Sequence, residues 1–255
     1  MLSYKAWLDT RWRFLIGLCV LIVVAIGTVY DYLAVQRLLP LTRTIDGDGA
    51  IRARVREAIE IERTYRGFVW LQWFRQNLAQ IGTLFAVLLG SGHLLSSGSS
   101  GAALFTLSLP VSRDRLVGVR AAVGLAELLA LALLPSLAIS ALSPGIGQHY
   151  AVGDAVIHGA SMFIAATVFF SLAFLLSTVF NDLWRPLLIA CAIAFVLAVV
   201  ELVVPDVGRY GIFRVMSGEM YFSAGRLPWI GWIVSAALSA SLLYAAVVNM
   251  RRQDF

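Results

Sequence analysis

Long apolar runs, separated by short polar breaks, organise this chain. The first covers residues 14–35, and others follow at about 69–95, 117–142, 156–180, 187–204 and 229–250. About 20 apolar residues are needed to cross a bilayer as a helix, so the pattern predicts six spans in one all-α, polytopic membrane domain covering residues 1–255. Ahead of the first run, Tyr4, Leu8, Trp12 and Leu15 recur at helical spacing beside a stripe of Lys5, Asp9 and Arg13. That amphipathic pattern predicts an interfacial elbow helix over 1–13. The first run is too long for a signal-peptide core and no A-x-A-like cleavage site follows it, so it is expected to stay in the mature chain.

The polar breaks differ in kind. Residues 36–67 form the longest, and within them Ile51, Val55 and Ile59 make an apolar stripe. Arg56/Glu60 and Glu62/Arg66 stand at i,i+4, so an amphipathic helix over 50–66 is expected. The second span begins wet, with Gln72, Arg75, Gln76, Gln80 and Thr83 near helical spacing. Lipid cannot satisfy such a face, which is therefore expected to look into the bundle or a wet cavity. LSSGSSGA at 95–102 is a break, Pro110 and Ser112 punctuate the approach to the third span, and Pro135 is expected to kink it. Pro205 ends the fifth span, and residues 205–228 form a loop rich in glycine and aromatics.

Charges inside the spans are few: Arg75, Glu127 and Glu201, with Asp31 at the edge of the first. At 1.5 Å per residue, Arg75 lies roughly 9 Å and Glu201 about 5 Å inside the outer ends of spans two and five. At such similar depth they are expected to approach each other, within one chain or across a dimer. Glu127 falls in the inner half of span three, two turns beyond Arg120. Structural pairing and a place along a transport path are both open for these groups, and Gln72, Arg75, Gln76, Gln80, Glu127 and Glu201 are the path candidates.

Composition names the solvent. Hydrophobic residues make up 60% of the 255 and charged residues 14%, and the mean hydropathy is +0.82. A soluble core of this length would leave too little polar surface to cover it. Disordered chains, disulfide scaffolds and coiled coils are excluded by the same figures. Cys19 and Cys191 sit in apolar runs and read as small buried hydrophobes, with no metal-site spacing. The net charge of +5 comes from residues scattered between apolar runs, which form no basic face for nucleic acid. With both termini in the cytoplasm, nine basic residues lie inside and ten outside, but seven of the ten belong to 36–67, where five acids accompany them. Short loops and span flanks carry the positive-inside bias, and they favour that orientation nine to three.

Catalytic motifs are sparse. A phosphate-binding loop needs a Gly-rich turn followed by lysine, and the sole lysine, Lys5, has no such turn before it. ATP-driven work would therefore fall to another chain. GSSG at 98–101 matches the pattern around the nucleophile of rhomboid-type intramembrane serine proteases. However, Ser100 lies in a break at a span end, and His93, His149 and His158 do not stand in a late span as the base would. A flexible turn is the better reading. The segment GAALFTLSLPVSRDRLVGVR at 101–120 begins apolar, is too short to span, and continues into proline and basic residues. It reads as a basic cytoplasmic loop or as a docking element for a cytoplasmic partner.

At these residues the sequence resembles the permease subunits of type-2 ATP-binding-cassette transporters. Gly101, Leu107, Leu109, Pro110, Val111, Ser112, Arg113 and Arg120 fit the register of that family's segment between spans two and three. Ala102 stands in place of its threonine, and Ser97 and Ser99 in place of its acids. The resemblance also covers the elbow helix, the six-span plan, the large first outer loop and the basic C-terminal tail. It implies a coupling helix at 101–108 within a cytoplasmic coupling segment at 101–116. Leu104, Phe105 and Leu107 would be the anchors in a groove of a separate ATPase, with Gly101, Leu109, Pro110 and Arg113 completing the segment. It further implies two ATPase copies holding ATP and Mg, a second permease copy, and a multi-pass place in a bacterial inner membrane. This chain itself would bind no cofactor and no metal. The second reading is a membrane anchor or assembly subunit that meets an extracytoplasmic protein through 36–67.

Overall fold

The computed structural model describes residues 2–38, 58–92, 113–180, 182–204 and 211–252. Among them every regular element is helical. In chain order these are α1 (Leu2–Leu38), α2 (Tyr65–Val69), a π-helical segment (Trp70–Asn77), α3 (Leu78–Gly90), α4 (Arg113–Leu142), a 3-10 turn (Ser143–Ile146), α5 (Val152–Ser177), α6 (Trp184–Val203), α7 (Ile212–Ser217), α8 (Glu219–Ala224) and α9 (Trp229–Arg252). Five of them, α1, α4, α5, α6 and α9, are long and apolar enough to cross a membrane. The run 65–90, expected as the second span, is helical throughout. Divided by the π-helical segment and carrying its polar residues, it falls short of that standard.

α5 is the central helix, packing against α3, α4, α6, α7 and α9. Its buried positions are largely small: Ala155, Gly159, Ser161, Ala165, Ala166 and Ala173. Small residues let helix backbones approach closely where lipid supplies no hydrophobic drive between helices. At Gly90 on α3 a Cβ would collide with the Phe170 carbonyl of α5. Between the backbones Trp73, Phe74, Phe169, Phe170 and Phe174 are fully buried. α6 and α9 instead present apolar side chains outward, among them Phe195, Leu202, Ile230 and Ile233, each at least 65% exposed. Such a belt is compatible with a multi-pass membrane protein.

Serine and threonine in the helices satisfy themselves or bridge. Thr28, Thr83, Ser136 and Ser161 each donate to the carbonyl four residues back. The Thr167 and Ser239 hydroxyls lie 2.8 Å apart and join α5 to α9.

Several expectations change here. No elbow separates from α1: the helix is continuous over 37 residues, because its buried stripe of Thr10, Gly17, Leu21, Ala25 and Val29 runs unbroken along the bundle. Cys19 is exposed on the opposite face and Cys191 is partly buried, so neither is a core residue. Of the helix expected over 50–66, residues 50–57 lie outside the described residues and 58–62 are helical. Within its last part, Glu60 pairs with Arg63 at 2.8 Å, while Glu62 accepts from Gln72 at 2.7 Å and Arg66 pairs elsewhere. α4 continues through Pro135, and the expected loop at 205–228 contains α7 and α8.

Candidate functional site

Polar groups gather at three places on the bundle. One is the end where the start of the run 65–90, the turn 143–151 and α7–α8 meet. Asp154, in the first turn of α5, takes an ion pair from Arg66 at 2.8 Å and a hydrogen bond from the Tyr221 hydroxyl at 2.8 Å. The Ser217 carbonyl, at the end of α7, accepts from the Trp70 indole N–H and lies 3.0 Å from His158 Nδ1. Trp70 stacks on Phe222 at 4.2 Å, and Phe74 stacks on His158 at 4.6 Å. Among the described residues, His158 Nε2 and the Tyr150 hydroxyl in this cluster are buried with no hydrogen-bond partner. Burial, with Asp154 nearby adding to it, raises the Tyr150 phenol well above its ordinary pKa. Tyr221 is also raised, first because its hydroxyl is bonded to Asp154. Asp154, through Tyr221, thus ties α8 to α5, and Arg214 pairs with Glu219 between α7 and α8.

Glu201 belongs to the same structural unit. Its carboxylate accepts from the Phe213 N–H at 3.1 Å, at the first turn of α7, and a Cβ at Gly211 would collide with it. Carboxylates stabilise helix N-termini by meeting unpaired N–H groups and the positive end of the dipole. Arg75 stands apart, its guanidinium 5.5 Å from the Trp70 ring centroid. The expected approach of Arg75 to Glu201 is therefore absent within this chain, since each has taken a different partner.

At the other end, α1, α3 and α4 are tied together. Thr10 on α1 donates to Glu127 Oε1 of α4 at 2.7 Å. Arg13 donates to the Leu88 and Ser91 carbonyls at 3.2 and 2.5 Å, capping the end of α3 where unpaired carbonyls and the helix dipole favour a cation. The Arg120 guanidinium lies so close to Gly92 that any side chain there would meet it. Glu127 is thus buried between α1 and α4 and not on an open face. Far along α1, Gln36 donates to the Glu62 and Arg63 carbonyls at 3.3 and 3.4 Å.

The third place is the wet face of the run 65–90, which divides. In the π-helical segment the Leu78 N–H bonds to the Trp73 carbonyl, five residues back. That change of register keeps Gln72 and Thr83 off the face shared by Arg75, Gln76 and Gln80. Gln72 reaches Glu62, and Thr83 turns back onto the Ala79 carbonyl at 2.6 Å. Arg75, Gln76 and Gln80 are exposed on the outside of the single chain and, with Leu71, line a depression of about 250 Å³. Of the two settings expected for the stripe, the bundle interior takes Thr83, while Arg75, Gln76 and Gln80 face an open depression. An arginine presented to lipid at the centre of a span would be unfavourable by about 2.5–3.5 kcal/mol on insertion scales, and π-helical turns concentrate at functional sites.

Gly101, Leu104, Phe105, Leu107, Leu109 and Pro110 lie outside the described residues, as does Ser100; Arg113 begins α4. No cluster of three His, Cys, Asp or Glu able to hold a metal occurs among the described residues. Comparison of the chain with protein-family models, characterised proteins and solved structures gives no match.

Proposed function

We propose that this chain is the six-span permease subunit of an ATP-driven exporter of the type-2 ATP-binding-cassette kind. In this reading the run 65–90 joins the five long helices as a span, the second in chain order. The chain works as a pair with a second copy, in a bacterial cytoplasmic membrane, with both termini inside. Two copies of a separate ATPase, holding ATP and Mg, supply the energy.

The observation that carries the reading is the tie around residues 93–112. α3 ends at Ser91, which Arg13 caps from α1, and α4 begins at Arg113 and bonds back to α1 through Glu127. A force applied to the segment between them would therefore reach three helices together. That is the mechanical requirement for a coupling element whose chemistry is confined to another subunit. The sequence at 101–120 supports it, and so does the lack of a phosphate-binding loop.

Leu104 and Phe105 are the anchors in this reading, each contributing about 1.5–3 kcal/mol through burial. Purification of the full chain from its native membrane should bring down an ATPase. Leu104→Asp combined with Phe105→Asp should reduce its recovery at least tenfold. Recovery of no ATPase by the unaltered chain, or equal recovery by the variant, would overturn the proposal.

A further inference from the structure

Arg75, Gln76 and Gln80 occupy the middle of their helical run. Ten positions separate Arg75 from Tyr65 and ten separate Gln80 from Gly90. Among the described residues Arg75 has no carboxylate within ion-pair distance, and the Gln76 and Gln80 amides have no hydrogen-bond partner. The Trp70 ring, 5.5 Å from the guanidinium, supports it without neutralising it. A cation and two amides thus face one open depression that contains no acidic lining residue. Beside them, Leu71 lines the same depression, and Leu84, one turn beyond Gln80, is 49% exposed.

Charge complementarity selects an anion, and the apolar flanks select a hydrocarbon chain attached to it. We propose that this depression binds an anionic amphiphile, with its headgroup on Arg75, Gln76 and Gln80 and its chain running past Leu84. The inference rests on the permease reading and gives it a substrate class. The headgroup of a resident lipid lies at the membrane surface, so an anion meets the middle of a span while crossing. A partly charged, uncovered face at that depth suits such a passenger.

The test uses the full chain purified in a neutral detergent and titrated with phosphatidylglycerol brominated in its acyl chains. Bromine quenches nearby indoles, and Trp70 lies beside the site. Saturable quenching is expected, with apparent affinity at least tenfold weaker in Arg75→Gln. Arg75→Lys should restore part of the affinity, and Gln76→Leu with Gln80→Leu should weaken it. Trp70→Phe should remove most of the saturable signal. Brominated phosphatidylcholine should quench without saturation, and inorganic phosphate should not compete.

Equal saturation by the zwitterionic lipid, or unchanged affinity in Arg75→Gln, would overturn the proposal. Competition by inorganic phosphate at the lipid's own affinity would also overturn it, in favour of a small anion. If Arg75→Gln instead converted a dimer to a monomer by light scattering while lipid quenching stayed the same, the face would belong to a second copy. ATPase capture separates this proposal from the one beneath it. Capture without saturable quenching sinks the amphiphile site alone, and quenching without capture sinks the permease reading alone.

Discussion

Gly218 joins α7 to α8 with a left-handed backbone, φ 65°, and passes so close to His158 that a Cβ would lie 2.6 Å from Nδ1. Alanine there meets both backbone strain, about 1–3 kcal/mol, and the imidazole that is bonded to Ser217. Gly225 has nearly the same φ, 64°, but open space around it. Gly218→Ala should therefore lower the thermal midpoint in detergent by several degrees more than Gly225→Ala, and the difference isolates the histidine contact. Tyr150 works the other way. Its hydroxyl is buried with no partner among the described residues, and leaving such a group unsatisfied costs about 1–3 kcal/mol, so Tyr150→Phe should be neutral or stabilising. Burial raises the phenol's pKa in the folded chain. Above about pH 10 the unfolded chain releases this proton while the folded chain keeps it. Stability should thus fall as pH rises through that region, and Tyr150→Phe should flatten the fall, as thermal unfolding at successive pH values will show. Gly218 was not legible as a helix stop, because residues 205–228 read as one loop rich in glycine and aromatics. Neither was Tyr150, because nothing in QHYAVGD distinguishes a solvated turn from one folded over Phe74.

Helices of six residues show little periodicity, which is why α7 and α8 were read as loop while the apolar runs gave the longer helices within a few residues. Run length announces a span, but the short pair depends on particular bonds from other elements: Glu201 at its start, Trp70 and His158 at its middle, Asp154 through Tyr221 near its end. Asp154→Asn weakens the pair with Arg66 and the bond from Tyr221, each partly solvated, for a loss of roughly 1 kcal/mol. The expected signature is local: faster hydrogen exchange across 212–224, with exchange in α5 and α9 unchanged. Equal acceleration everywhere would show that Asp154 serves global stability and not this attachment. Elements also explain the missing elbow and the divided wet face. Amphipathic spacing in residues 1–13 predicted a helix but carried no information on where it would end, and α1 is continuous, with Thr10 and Arg13 holding its N-terminal part to α4 and α3. Helical spacing put Gln72, Arg75, Gln76, Gln80 and Thr83 on one face, and the π-helical register then separated them.

At the scale of the molecule, composition pointed to lipid as the solvent, and the outward apolar belt on α6 and α9 is compatible with it. Hydropathy could not distinguish a polar face turned inward from one turned outward, because both occupy the same sequence positions. That choice depends on which neighbours α5 draws around itself. α1 adds a mechanical property to this arrangement. At 1.5 Å per residue its 37 residues extend about 55 Å, well beyond the roughly 30 Å of hydrocarbon. Its N-terminal part is fastened to α3 and α4 through Arg13 and Thr10, and Gln36, near its other end, holds the backbone at 62–63. A tilt of about 5° around its midpoint would carry each tip some 2 Å by that geometry. In the permease proposed above, α1 would be a connecting rod: a push delivered where α3 ends would be carried along one continuous helix to its far end.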